Sequence, residues 1–122
     1  AGLFGSAEAV SHWGLELRKA VRGDSKKFGN TQLVQRFVKR RIPKSVGDFG
    51  LLFMKPTPGK ASCGRYFHSS SFGHTGFTGT SFWMDPKRDL MVVILSNRVH
   101  PTRENKTFLQ LRPRLHDWIV QS

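Results

Sequence analysis

The chain has 122 residues, with 20 Lys and Arg against 8 Asp and Glu and a formal charge of +12. That length holds one hydrophobic core and no more, and 38% apolar with 23% charged residues is the composition of a folded domain, not a disordered one. No apolar run approaches the ~20 residues of a membrane-spanning helix, no secretory leader is legible, and the lone Cys63 rules out a disulfide framework or a zinc-finger spacing within the chain.

In chain order, the segment opening Ala1-Gly2-Leu3-Phe4 has no initiator Met and reads as a cleaved or trimmed product, with room for a leader or a further half before it. Ser6 suits an N-cap, with Glu8 in the first turn, and Val10, Trp13, Leu17, Ala20 and Val21 recur at helical spacing up to Gly23. After a polar loop, Asn30 or Thr31 can cap a second helix with the face Leu33, Val34, Phe37 and Val38, which Pro43 ends. From Gly47 the period changes. Phe49 to Met54 is a short apolar run closed by the turn Pro56-Thr57-Pro58-Gly59.

Gly64 to Ser70 and Phe72 to Asp85 read as strands, and Leu90 to Leu95 as a fully buried one joined to its predecessor by the turn signal Asp85-Pro86-Lys87-Arg88-Asp89. The middle of the chain is therefore expected to be an antiparallel meander of about four strands. From roughly Arg103 to Gln121 a closing helix carries Phe108, Leu111, Leu115, Trp118 and Ile119 on one face, with Thr107 and Gln110 as a capping box and Pro113 awkwardly inside. The fold class is α+β, an antiparallel sheet flanked by helices. It forms a single partial domain over 1–122: a helical segment 1–45, antiparallel strands 46–100 and a C-terminal helix 101–122.

The excess of positive charge raises nucleic acid or an anionic surface as a partner. The basic residues are scattered, however, with Lys39-Arg40-Arg41 and Lys44 the densest group, and they come with neither a reading helix nor interleaved aromatics. A solvated basic face is the better reading, a missing acidic partner segment a further one, and nucleic acid is disfavoured. The five histidines are not spaced as metal ligands, and neither metal nor cofactor is expected.

The informative stretch is Ser71 to Asp85, with glycines at 73, 76 and 79. Glycines weaken a structural strand but let another backbone approach closely. His74-Thr75-Gly76 puts an imidazole, a hydroxyl and bare backbone in sequence, where a substrate could add itself to the strand edge and a neighbouring N–H could serve an oxyanion. The alternative is a bent strand with incidental polarity. The spacing Gly73-x-x-Gly76-x-x-Gly79 is a weak phosphate signal, because it opens no helix. The chain contains no GxSxG, SxxK, YxN, SxN or HExxH arrangement.

Phe72-Gly73-His74-Thr75-Gly76-Phe77-Thr78-Gly79-Thr80, then Trp83-Met84-Asp85-Pro86 and Val93-Ile94-Leu95-Ser96-Asn97-Arg98-Val99-His100-Pro101, resemble the third-motif strand and the following strand of the serine β-lactamase and penicillin-binding-protein-like hydrolases. The likeness is to the branch of class C β-lactamases, D-Ala-D-Ala carboxypeptidases and related esterases. Ala1 to Ala7 resembles that family's segment entering a helix downstream of its second motif. The resemblance implies that His74-Thr75-Gly76 matches the Lys/His-Thr/Ser-Gly motif. His74 would then tune the site's electrostatics or help proton transfer, Thr75 would bind a substrate carboxylate or carbonyl, Gly76 would keep the strand open, and the Phe77 N–H would be an oxyanion donor. It further implies covalent catalysis through a serine and a periplasmic, envelope or secreted location.

The Ser-x-x-Lys and Tyr-x-Asn motifs of that family do not occur here. The chain is therefore expected to be the C-terminal portion of a longer hydrolase acting on a β-lactam, peptide or ester, inactive alone. Its expected partners are the N-terminal portion carrying the nucleophile and the acyl substrate, with self-association through an exposed sheet edge as a further possibility. The competing reading is a non-catalytic basic domain that binds nucleic acid or an anionic envelope polymer.

Overall fold

In the computed structural model, which describes residues 3–57 and 59–122, Ser6 starts the first helix by accepting a hydrogen bond from the Ala9 amide (3.1 Å). Ala1, Gly2 and Pro58 lie outside the described residues, and with them the start of the Ala1–Ala7 segment and one residue of the expected 56–59 turn. Helix α1 (Ala7–Arg22) ends at Gly23, whose left-handed φ of 93° lets its N–H and that of Asp24 donate back to the Ala20 and Lys19 carbonyls. Helix α2 (Thr31–Val38) starts on Asn30, whose side chain accepts from the Leu33 amide at 2.8 Å. It ends before the expected Pro43. Lys55 Nζ donates to the last carbonyl, that of Val38, at 3.0 Å, and the chain folds back so tightly that a Cβ on Gly50 would lie 2.6 Å from the Lys39 carbonyl.

Three strands follow, β1 (Phe72–Thr75), β2 (Ser81–Asp85) and β3 (Leu90–Ile94), antiparallel in the order β1-β2-β3. The structure corrects the expectation of four. The segment 64–70 is not a strand, because side-chain carboxylates take its amides: Arg65 N–H donates to Asp117 and His68 N–H to Asp85. Phe49 to Met54 contributes only isolated bridges, Phe49 to Met54 and Met54 to Gly73. The stretch Phe72–Asp85, expected as one strand, is two strands joined by a hairpin. Gly76 N–H donates to the Thr80 carbonyl (2.8 Å) and Gly79 N–H to the Gly76 carbonyl (3.0 Å), with Gly79 at φ 97°. This is the three-residue loop whose last position is left-handed and favours glycine.

The central strand is β2, and all five of its residues are buried, whereas the apolar run Leu90–Ile94 is an edge on which only Val92 is fully buried. Phe82 and Met84 point to one face and pack with Leu17, Ala20, Val34 and Phe72 beneath α1 and α2. Trp83 points to the other and packs with Cys63, Phe67 and Val92, covered by Ile119 and Val120 of helix α3 (Thr107–Gln121). The architecture is thus α+β, with helices on both faces of an antiparallel sheet.

In α3 the expected capping box does not form. The N-cap is Lys106, without a side-chain bond, and the Thr107 amide donates to Asn105 instead. Pro113 lies inside the helix. The expected face is met only in part: Ile119 packs on the sheet, but Leu111 and Trp118 are 41% and 70% exposed, and the polar Arg112, His116 and Asp117 are buried in their place. Asp117 sets this orientation by accepting the Arg65 backbone N–H and the Arg65 Nε–H (2.9 Å). None of the helices among the described residues is long and apolar enough to cross a membrane.

Candidate active site

His74, Thr75, Gly76 and Phe77 lie together at the C-terminal end of β1 and in the turn that follows, so hairpin formation places the predicted group as one unit. On the outer edge of β1, Gly73 and Met54 exchange backbone bonds, Met54 N–H to Gly73 carbonyl at 2.8 Å and the reverse at 3.1 Å. Peptide groups alternate along an antiparallel strand. Those of Phe72, His74 and Gly76 therefore face β2, while the N–H and C=O of Thr75 face outward past Met54. Gly73 itself must be glycine, because a Cβ would run into the Phe82 carbonyl and the Trp83 ring.

The backbone of Gly76 is not free, contrary to the expectation of bare N–H and C=O groups there. Its N–H and its carbonyl both close the hairpin, and a Cβ at this position would collide with the Thr80 hydroxyl. Gly76 works as the pivot of the turn. The Phe77 amide takes no part in the two turn bonds, which use the N–H groups of Gly76 and Gly79. The His74 ring is exposed, packs edge-on to Phe49 (centroids 6.3 Å apart) and places Nδ1 3.0 Å from the Thr75 carbonyl. With the proton on Nδ1, that contact is a donated bond and Nε2 keeps a lone pair for proton transfer. The Thr75 hydroxyl has only a soft contact, 3.8 Å to Met54 Sδ, and it can rotate toward a better acceptor or donor.

Two residues that sequence reasoning did not single out hold the turn from behind. Arg98 donates its backbone N–H to the Thr78 carbonyl (2.9 Å) and stacks its guanidinium over the exposed Phe77 ring, 4.9 Å from the centroid. Arg112 is buried and directs Nη1 at the Gly79 carbonyl (3.5 Å). Burial lowers the Arg112 pKa, and the neighbouring Arg98 charge lowers it further. The whole loop 77–79 is therefore fixed by arginines from two separate segments. The signal was weak in the sequence because each is one basic residue among 20.

In front of the group is a cavity of about 560 Å³ between the start of α1 and the sheet, with His74, Thr75 and Gly76 on one side and Val10, Trp13 and Phe82 on the other. Trp13 contacts Phe82 edge to face at 5.2 Å, which anchors the aromatic wall. At the far end of β2, the buried Asp85 accepts from the His68, Lys87 and Arg88 amides and from Arg88 Nη1 (2.8 Å). Burial alone would raise its pKa, but these donors outweigh it and hold the carboxyl below its usual range. Asp85 thereby fixes the β2–β3 turn and the loop over Trp83 and has no part in the cavity. Among the described residues no three His, Cys, Asp or Glu side chains converge as a metal site would require.

The described residues bring the outward Thr75 peptide group, an imidazole and a hydroxyl to the edge of an apolar cavity, with the Phe77 amide in the adjoining turn. A model of the β-lactamase family matches residues 1–112. The fold is similar to that of a β-lactamase from Mycobacterium bovis, with a TM-score of 0.68 at 21% identity over 92% of this chain. The match spans 43% of that protein's length. No curated protein sequence matches. With its family's model matched over all but the last residues of the sequence, the chain belongs to the β-lactamase family.

Proposed function

We propose that these residues form the C-terminal wall of a serine acyl hydrolase acting on a lactam, peptide or ester carbonyl. The nucleophile would be supplied by a portion of polypeptide outside them. The observation that carries this reading is the juxtaposition of Thr75's outward peptide group and the His74 ring at one cavity, with the Phe77 amide in the turn directly after its Gly76 wall residue. A carbonyl docked along the β1 edge would be attacked by a serine hydroxyl from the opposite side. As the tetrahedral intermediate forms, its oxyanion accepts a bond from the Phe77 N–H, a type of donor whose loss costs about 3 kcal/mol in transition-state energy. The Thr75 hydroxyl holds the substrate's remaining oxygen, and His74 assists proton transfer to the leaving group. Water then attacks the acyl-serine and releases the acid.

The labelling experiment is direct. Treated with a fluorophosphonate or a fluorescent penicillin, the 122-residue chain takes up no label, and a polypeptide joining it to a portion with Ser-x-x-Lys and Tyr-x-Asn does. In that longer protein Thr75→Val slows acylation by about tenfold or more. Covalent labelling of the chain alone would place a nucleophile within it and refute the division of the site between two portions.

A further inference from the structure

A chain with 20 Lys and Arg places none of them on the wall of the cavity beside His74. Val10 and Trp13 of α1, Phe53, Phe82 of β2 and Val93 of β3 make that wall apolar, and among the described residues its polar side chains are Thr75, Thr80, Ser81 and the imidazole of His74. Arg98, the arginine beside the turn, is turned to other work: its guanidinium covers the Phe77 ring and its Nη1 lies 3.4 Å from the Arg103 and Asn105 carbonyls. A lactam antibiotic or the end of a peptide carries a carboxylate at neutral pH. Such a group resists transfer from water to an apolar wall unless a cation or several converging donors meet it. The volume, about 560 Å³, is that of a small-molecule site.

We propose that this cavity receives the apolar acyl chain of a neutral carboxylic ester, with the ester carbonyl at the His74–Thr75–Gly76 end, and disfavours acyl donors that bear a carboxylate. The assignment rests on the acyl-transfer reading above and names its substrate class. Binding precedes chemistry and needs no nucleophile, so the chain itself can be tested.

The ¹⁵N-labelled chain is titrated with ethyl hexanoate and, separately, with benzylpenicillin, following the Trp13 indole N–H and the Thr75, Gly76 and Thr80 amides. Ethyl hexanoate shifts these signals saturably, and benzylpenicillin binds at least about tenfold more weakly. Leu95, on the cavity rim and 45% exposed, tolerates a longer polar side chain. Leu95→Lys brings an ammonium to the wall and narrows the gap, strengthening benzylpenicillin by about tenfold relative to the ester, while signals remote from the cavity stay in place. Tighter binding of benzylpenicillin by the unaltered chain, or an unchanged ratio in Leu95→Lys, overturns the neutral-ester assignment and leaves the acyl-transfer reading standing. Absence of saturable shifts with either compound also overturns it and points to a protein segment as the occupant of the groove; the acyl-transfer reading is judged separately by labelling of the longer polypeptide.

Discussion

Replacing Gly79 by Ala tests whether the hairpin turn is what builds the site. Gly79 has φ 97°, and an added Cβ would press on the Ser96 hydroxyl and come within 3.1 Å and 3.2 Å of two Phe108 ring carbons. Holding Ala in a left-handed conformation costs about 1–2 kcal/mol, and overpacking against a ring fixed in α3 adds about 1–2 kcal/mol. The expected loss is about 2–4 kcal/mol. A domain of this size has a total stability of about 6–18 kcal/mol, so the protein still folds in water, with a urea midpoint lowered in proportion. Ser96→Ala removes the hydroxyl that the new methyl strikes, and the double variant Gly79→Ala/Ser96→Ala should recover about 0.5–1 kcal/mol of the contact cost without touching the conformational one. Because Gly79 N–H and the Gly76 carbonyl close the turn, amide hydrogen exchange at Gly79 should accelerate alongside the loss in stability. A change below about 0.5 kcal/mol, the range of an ordinary surface substitution, would refute the left-handed turn and with it the placement of the Phe77 amide.

Other outcomes follow from the buried polar groups. Burial, helped by the Arg112 charge and opposed by Asp117, pushes the His116 pKa down to about 4, so its neutral form is the folded one; stability is full above the unfolded pKa of about 6.5 and falls as pH drops toward 4, and His116→Leu should flatten that part of a urea-midpoint profile. Lys55 behaves alike at the other end of the scale: burial and the Arg40 charge lower its pKa to about 8, so stability rises between pH 8 and the unfolded pKa of about 10.4, and Lys55→Met removes the rise. Asp85→Ala strips the acceptor from three amides and one guanidinium and should cost about 3 kcal/mol or more by thermal denaturation. Ser6→Ala removes the cap on Ala9 and should cost about 1 kcal/mol.

Local rules were most readable where a side chain satisfies its own neighbourhood. Ser6, Gly23 and Asn30 mark helix ends through bonds three or four residues away, and α1 and α2 begin where those residues say. The strands were harder, because a strand's partners are distant. Apolar content alone made Leu90–Leu95 look like the interior strand, yet Ser81-Phe82-Trp83-Met84-Asp85 is central: the Ser81 and Asp85 ends are polar, and Asp85 is buried only because three amides and Arg88 converge on it. Likewise 64–70 reads as a strand, but its amides are claimed by Asp117 and Asp85, 52 and 17 residues away along the chain. No pattern within the segment itself reveals that competition.

The site divides along the same line. His74-Thr75-Gly76 was legible as residues, but what each can do depends on how the chain folds back. Three glycines at a spacing of three suggested one open strand, whereas Gly79's left-handed φ makes a hairpin that uses both backbone groups of Gly76. The open peptide group passes to Thr75, by the alternation that Met54 sets at Gly73, and the unengaged donor to Phe77. In the proposed site the turn would have to be rigid for that donor to act, since an oxyanion hole works by being oriented before charge develops. Its rigidity comes from Arg98 and Arg112, one on the loop after β3 and one buried in α3. Part of the chain's excess positive charge is therefore structural: Arg98 and Arg112 meet carbonyl groups and an aromatic ring within the fold, a role that net charge alone does not reveal.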